Sequence, residues 1–398
     1  MHDNSPVTIS DPGPMRGNGK IDLALGVLAV LGLAVFLSAL ATDATRAWYN
    51  YLIDYVFFMA LGIAGVVLTA VHYAAGASWS VTVRRVVEGM SAYLPVSLLL
   101  ALPIYFAIPT LYEWASPDHV HLYGEKHVYL CRWCFMLRQI LGYAVWIGLG
   151  MLLVCNSVRQ DKTGDHRFHL KNRRIAPIFL ILFALTLTFA SVDLLMSLEE
   201  AFYSTMFPVY IFSGLFLSGY AMASILVIVF RRRGYLGEAV REHHLRDMAT
   251  WMMAFSVFMV YIGFSQYMLI WYANLPIEIG YMMRRSTGGW GTVFALLPLF
   301  KWVIPFVVLM PDRCRRSERV ILAVSVLVLV GQWLDIYWMV VPVFSESFIP
   351  VGWVEIGVFL LFGSLFALSL RLFYRRYSLV AMGDPRLEES LKGRYLHV

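Results

Sequence analysis

The chain has 398 residues, of which 59% are hydrophobic and only 15% are charged. Soluble globular proteins carry about 25% charged residues, so a chain with a mean hydropathy of +0.66 cannot hide its apolar residues in one water-surrounded core. This composition excludes a soluble, disordered, collagen-like or disulfide-stapled protein and indicates a polytopic membrane protein.

Ten stretches are long enough and apolar enough for transmembrane helices, which need about 20 mostly apolar residues. In chain order these predicted spans are residues 21–41, 53–73, 94–114, 129–155, 176–196, 207–230, 249–272, 291–310, 320–341 and 352–374. The first is too long for the apolar core of a signal peptide, so we interpret it as a retained helix. The predicted fold is therefore an all-α membrane protein with ten transmembrane helices.

The basic residues are distributed unequally between the two sets of loops. Of the 32 Lys and Arg residues, 25 lie in the two tails, in the last turn of span 10 (Arg371) and in the loops after spans 2, 4, 6 and 8. The other loops hold Arg46, Lys126, Arg284 and Arg285, and the spans hold Arg132, Arg138 and Lys301. Because basic residues accumulate in cytoplasmic loops, both termini are predicted to be cytoplasmic. The same rule explains the net charge of +6 without nucleic-acid binding.

A repeated spacing divides the chain into two halves. Arg174 and Asp193 of span 5 are 19 residues apart, and so are Arg316 and Asp335 of span 9. Spans 4 and 8 each carry a basic residue as well. We therefore predict two four-helix bundles, spans 2–5 and 6–9, related by an axis along the membrane normal, with spans 1 and 10 as flanking helices.

The predicted organisation follows from this repeat. Residues 1–20 form a mobile cytoplasmic tail, and residues 21–52 form the first flanking helix and its loop. Residues 53–206 and 207–350 form the two bundles, and residues 351–398 form the last flanking helix and a second cytoplasmic tail. No loop is long enough for a module that could hold a haem, a flavin or an iron–sulfur cluster, so redox chemistry would require a partner protein.

Ionisable residues inside a membrane are costly, usually paired, and candidates for function. The candidates for a proton path are His72, Arg138, Asp193, Glu200, Gln266, Lys301, Gln332 and Asp335. Two interpretations compete for them. They line a proton path, or Lys301 with Asp335 and Arg138 with Asp193 are neutralising pairs that hold the helices together.

Other polar residues have simpler interpretations. Glu355 is expected to be solvated at the membrane interface, and His72 to be solvated or to cap its helix. Gln266 would bind a quinone carbonyl or hold a neighbouring helix. Cys131 and Cys134 lack the second pair that a structural zinc site needs, and no metal site is predicted. The loop histidines, for which we favour a solvated loop or a partner contact, are His119, His121 and His127.

Three longer segments carry a family resemblance. The first two are residues 201–214 (AFYSTMFPVYIFSG) and residues 264–274 (FSQYMLIWYAN). The third begins with Pro311-Asp312-Arg313 and ends with residues 332–338 (QWLDIYW). The chain resembles the ActF-type subunits of alternative complex III, a bacterial quinol:electron-acceptor oxidoreductase. These subunits belong to the NrfD-like, or polysulfide reductase membrane subunit, family. The resemblance covers all ten spans.

The resemblance implies a non-redox subunit of the bacterial inner membrane, with catalysis by the assembly rather than by this chain. Its implied partners are a second NrfD-like subunit, an iron–sulfur protein, multihaem cytochromes c and lipids. Haem c and iron–sulfur clusters would lie in these partners, and this chain would bind no cofactor covalently. Menaquinol would be oxidised in the sister subunit, while this chain would conduct protons and contact a quinone.

Two alternative functions remain open. The first is a secondary transporter, which ten spans and a repeat also fit. The second is a purely structural anchor for the redox complex, which would need no polar path. Transporters of this type have broken helices at matching positions of both halves. Pro298 and Pro305 of span 8 have no clear counterparts in span 4, which disfavours transport.

Overall fold

The computed structural model describes residues 9–115, 126–199, 201–345, 347 and 351–393, apart from the side chains of residues 126, 127 and 277. Ten helices in this part of the chain have the length and apolar composition to cross a membrane, and it contains no strand. The prediction of an all-α, multi-pass membrane protein is confirmed at this level. Spans 1 to 10 are Gly19–Thr42, Ala44–Ala74, Val81–Leu111, Arg132–Thr163, Arg167–Leu198, Phe207–Arg232, Glu242–Ala273, Gly288–Leu309, Glu318–Phe344 and Trp353–Arg376.

The helices extend well beyond the apolar stretches that predicted them. Span 2 begins at Ala44, nine residues before its predicted start, and span 3 begins at Val81, thirteen residues before. The added turns carry polar residues that find partners inside the protein, such as Arg84, Arg85 and Glu88. Hydropathy detects only the apolar part of such a helix, because it does not anticipate pairing between charges.

Span 2 is the central helix, buried along nearly its whole length. It packs against spans 1, 3, 4, 5, 6, 9 and 10. Spans 4 and 5 pack closely on each other, and span 6 packs against spans 7 and 9. The outer helices expose large apolar side chains such as Leu31, Leu185 and Leu269, as expected for surfaces that face lipid.

Spans 1 and 10 form a close helix pair through two glycines. A Cβ atom on Gly32 would lie 2.6 Å from the carbonyl oxygen of Gly357, and one on Gly357 would lie 2.2 Å from Val35 Cγ1. Small residues of this kind let membrane helices approach until their backbones touch. The contact anchors span 1 to the rest of the protein.

Replacing Gly32 by valine should therefore separate spans 1 and 10. Overpacking a close contact destabilises by about 1–3 kcal/mol, so we expect a lower midpoint of thermal unfolding in detergent. Gly26→Val is the matched control on the same helix, because a Cβ there meets no atom within 4 Å. Equal midpoints for the two variants would contradict the proposed role of the glycine contact.

The two ends of the helices differ in character. We call the end where span 1 begins and span 10 ends the basic side, and the other end the opposite side. On the basic side, residues 377–393 form a C-terminal segment that includes the short helix Leu387–Lys392. Part of the tail predicted to be mobile packs against the end of span 10, where Met15 is buried and its N–H donates to the Tyr374 carbonyl at 2.7 Å.

The C-terminal segment lies across the ends of several spans. Asp384 pairs with buried Arg84 of span 3 and lies 3.5 Å from His169 Nδ1 of span 5. The N–H of Gly383 donates to Asp161 of span 4 at 2.9 Å. Ser390 donates to the Trp79 carbonyl at 2.9 Å and contacts both histidines at the start of span 7. The segment thus connects spans 3 to 5 with span 7.

Burial raises the pKa of the Asp384 carboxyl, but the positive charge of Arg84 and the nearby His169 more than offset this, so its pKa lies well below the usual range. A carboxyl group with a lowered pKa in the folded state stabilises that state above its unfolded pKa of about 3.9, and the contribution is lost as the pH falls further. The stabilisation that the Asp384 carboxylate provides is therefore the same throughout the neutral pH range.

Candidate functional site

Span 8 is not a regular α-helix. It consists of α-helix Gly288–Pro298, a π-helical turn Leu299–Val303 and α-helix Ile304–Leu309. Pro298 and Pro305 flank the turn, and neither can donate the backbone hydrogen bond that continues an α-helix. Such π-turns are frequent at functional sites. Here the turn carries Lys301, whose side chain is 2% exposed.

Lys301 belongs to a buried triad with Asp335 and Tyr210. Its Nζ donates to Asp335 Oδ2 at 2.7 Å, and the Tyr210 hydroxyl donates to Asp335 Oδ1 at 2.7 Å. Spans 6, 8 and 9 each supply one of the three groups. The predicted Lys301–Asp335 pairing is confirmed, and Tyr210 is a member that the sequence did not reveal. Both oxygens of the carboxylate are satisfied, as a buried charge requires.

Arg138 and Asp193 form the second predicted pair. Arg138 Nε and Nη2 donate to the two carboxylate oxygens, each at 2.8 Å, and Gln139 adds a bond of 3.3 Å. The guanidinium also donates to the Tyr129 carbonyl at 3.0 Å and lies 3.8 Å from the centre of its ring. This bidentate geometry fixes the side chain strongly. The pair therefore locks span 4 to span 5 near the opposite side.

A cavity of about 330 Å³ opens beside the triad. Its wall reaches Phe264, which is 60% exposed on the outer face of span 7, so the cavity faces the lipid side of the protein. The lining is mostly apolar and aromatic, and its polar groups include those of Tyr210, Gln266 and Lys301. Gln266 is 5% exposed, and no described residue hydrogen-bonds its amide. The cavity could thus accommodate a flat apolar ring that carries hydrogen-bonding oxygens.

The remaining predicted residues that the structure describes make no hydrogen bond to the triad. His72 is 3% exposed, lies 3.3 Å from the Tyr220 hydroxyl and packs edge-on against Trp79. Its predicted solvation is wrong, because the loop after span 2 folds over it. Gln332 is buried beside Gly214, and Glu200 lies outside the described residues. Among the described residues, no hydrogen bond or ion pair joins His72, the Arg138–Asp193 pair and the triad to one another.

Near the opposite side, the structure reveals two buried acids that sequence analysis missed or misread. Asp54 is 1% exposed and accepts a hydrogen bond from Trp333 Nε1 at 2.7 Å. It was overlooked because it is the second residue of the predicted span, whereas the helix begins at Ala44 and places it deep inside. Glu355 was expected to be solvated, but it is 1% exposed and bound to Arg46 and Asn50.

The CxxC motif precedes the Arg138 pair. Cys131 and Cys134 form a disulfide at the start of span 4. Among the described residues, no group of three or more His, Cys, Asp and Glu residues could hold a metal ion. His119, His121 and the side chain of His127 lie outside the described part of the chain.

No protein-family model matches the sequence, and no curated protein matches it. The resemblance to the ActF-type subunits therefore stays a prediction.

Proposed function

We propose that this chain is an integral membrane subunit of a quinol-oxidising complex of the alternative complex III type. In this proposal the chain carries no redox centre. It contributes a proton path at the Lys301–Asp335–Tyr210 triad and a quinone contact in the neighbouring cavity. Electron transfer takes place in its partners, which are an iron–sulfur protein, multihaem cytochromes c and a second NrfD-like subunit.

The observation that carries the proposal is the position of the triad beside a lipid-facing aromatic cavity. A quinol releases protons when it is oxidised, so a subunit that serves this reaction needs titratable groups near a site open to the membrane. Lys301 and Asp335 are such groups, and Gln266 offers an amide to a menaquinone carbonyl. A purely structural pair would not require a cavity at its side.

The two acid–base pairs support the proposed duplication. Arg138 of span 4 binds Asp193 of span 5, and Lys301 of span 8 binds Asp335 of span 9. These helices correspond if spans 2–5 and 6–9 are two copies of one four-helix bundle. We further propose that the basic side is cytoplasmic and that the membrane is the bacterial inner membrane, in agreement with the distribution of Lys and Arg.

The asymmetry of the two halves argues against transport. Span 8 is interrupted by a π-helical turn, whereas span 4 is a continuous α-helix from Arg132 to Thr163. Transporters built from repeats have discontinuous helices at corresponding positions. A single interrupted helix fits a local site better than a pair of rocking repeats.

Purification from native membranes with an N-terminal tag on this chain tests the proposal. We expect c-type haem absorbance, an iron–sulfur signal in electron paramagnetic resonance, and menaquinol oxidation with a cytochrome as electron acceptor. A haem-free preparation that catalyses solute uptake in liposomes would establish the transporter instead. An inactive haem-free chain would also contradict membership of a redox complex.

A further inference from the structure

A stripe of polar residues runs along span 2 from the opposite side into the protein. Arg46, Asn50 and Asp54 follow one another at intervals of four residues and therefore share one helix face. Arg46 donates to both carboxylate oxygens of Glu355, at 3.0 and 2.9 Å, and Asn50 Nδ2 donates to the same carboxylate at 2.9 Å. The Arg46 side chain is 28% exposed, whereas Asp54 is only 1% exposed. The stripe thus leads from the surface to a buried acid.

Asp54 lies deep in the membrane part of the protein. It is ten residues from the start of span 2 at Ala44, which corresponds to about 15 Å along the helix axis. Trp333 Nε1 satisfies Oδ1, but Oδ2 is buried without a hydrogen-bond partner. Asp54 forms no ion pair with any Lys, Arg or His of the described chain. An unpaired carboxylate in such surroundings is so costly that the neutral acid is the stable form.

Two further unsatisfied atoms lie on the same part of span 2. The Tyr49 hydroxyl and Asn50 Oδ1 are buried without a partner, as is Asp54 Oδ2. Buried polar atoms that the protein leaves unpaired are the sites where internal water binds. Three of them within six residues of one helix indicate a short chain of bound water. Polar side chains on the elements around Asp54 include Arg46, Tyr49, Asn50, Trp333, Tyr337 and Glu355.

We propose that Asp54 is a proton-binding site in the membrane interior, which water along Tyr49, Asn50 and Glu355 connects to the opposite side. Asp54 gains its proton from a neighbouring water molecule, which at the same time takes up a proton from the next water toward the surface. The proton returns by the reverse relay. One O–H bond breaks for each one that forms along the water chain, and no electron is transferred. The path runs along spans 2 and 10, and none of its hydrogen bonds involves the Lys301–Asp335–Tyr210 triad.

Infrared spectroscopy of the purified full-length chain tests the protonation of Asp54. A neutral acid gives a carboxylic C=O stretching band, which we expect to disappear in Asp54→Asn. The asparagine can still accept the hydrogen bond from Trp333, so this variant should fold. Glu318→Gln is the control, because Glu318 is paired with Arg231 and Arg232 and should contribute no such band. Trp333→Phe should keep the band but shift its frequency, since one hydrogen bond to the acid is lost.

Exchange into D2O tests the water path. The Asp54 band should shift as its proton is replaced by deuterium. Asn50→Leu should slow this exchange about tenfold or more, which corresponds to a barrier raised by ~1.4 kcal/mol or more. Val56→Leu, a change on the same helix away from the polar stripe, should leave the rate unchanged.

Three results would overturn the inference. If Asp54→Asn removes no acid band, Asp54 is ionised. If the band is present but does not exchange in the folded protein, the site is closed to water. If Asn50→Leu exchanges as fast as the wild-type chain, the proton travels by another route. All three measurements use the chain without redox partners, so they are independent of its membership of a quinol-oxidising complex.

Discussion

Asp335→Leu should destabilise the protein strongly and abolish its function. The substitution leaves the Lys301 ammonium group buried without the carboxylate that it contacts at 2.7 Å. Breaking a buried pair by removing one partner costs about 3–5 kcal/mol. We expect a loss of this size in the free energy of unfolding, measured by denaturation in mixed micelles, and a reduced yield of assembled complex.

The double variant Lys301→Met/Asp335→Leu separates the two roles of this pair. Replacing a buried ion pair by apolar residues of similar size is often neutral or stabilising, so stability and assembly should return. In this double variant the Tyr210 hydroxyl has lost its acceptor, the Asp335 carboxylate. A third substitution, Tyr210→Phe, therefore removes that hydroxyl as well. If the triad conducts protons, the assembled complex will still release fewer protons per quinol oxidised. Full recovery of both stability and proton release would show that the pair serves only to hold the helices.

Asp384→Ala should release the C-terminal segment from the basic side. The substitution removes the carboxylate partner of Arg84, whose side chain is only 2% exposed. The expected loss of stability is again about 3–5 kcal/mol, and limited proteolysis should cut the released segment. The wild-type segment should stay protected from neutral pH down to about pH 4 and be released only below it, because Asp384 must first be protonated.

Glu388→Ala is the matched control in the same segment. The Glu388 side chain is 56% exposed and pairs with Lys392 one helical turn away. Exposed pairs at this spacing contribute about 0.2–0.5 kcal/mol, so stability and protease resistance should change little. Comparable cleavage in both variants would show that the buried Arg84–Asp384 contact does not hold the segment.

Hydropathy was sufficient to predict the ten helices, because a long apolar stretch in a membrane has few alternatives to forming a transmembrane helix. The Lys301–Asp335 and Arg138–Asp193 pairs were also predictable, since an isolated charge stands out within an apolar stretch. The extent of the helices was not predictable, because polar turns at their ends are stabilised by contacts from distant parts of the chain. Arg84 is such a case, since its partner Asp384 is 300 residues away.

The same limitation concealed Asp54 and Tyr210. An acidic residue near the edge of a hydropathy peak is expected to be solvated unless the true start of the helix is known. A tyrosine in an apolar helix gives no signal of its own, because the sequence does not show which carboxylate its hydroxyl meets. Gln266 was recognised as polar within a span, but only the packing of spans 6 to 9 shows that it lines a cavity.

The position of the C-terminal segment has a consequence for biosynthesis. Arg84 enters the membrane early in translation, but Asp384 leaves the ribosome only after all ten spans have been made. Throughout this time Arg84 has no permanent carboxylate partner, and the ends of spans 3 to 5 and span 7 are not yet joined. A transcript cut short before codon 384 would therefore yield a protein with all ten spans and an uncompensated buried charge. Such a product would be recognised by membrane quality-control proteases, although its hydropathy profile is complete.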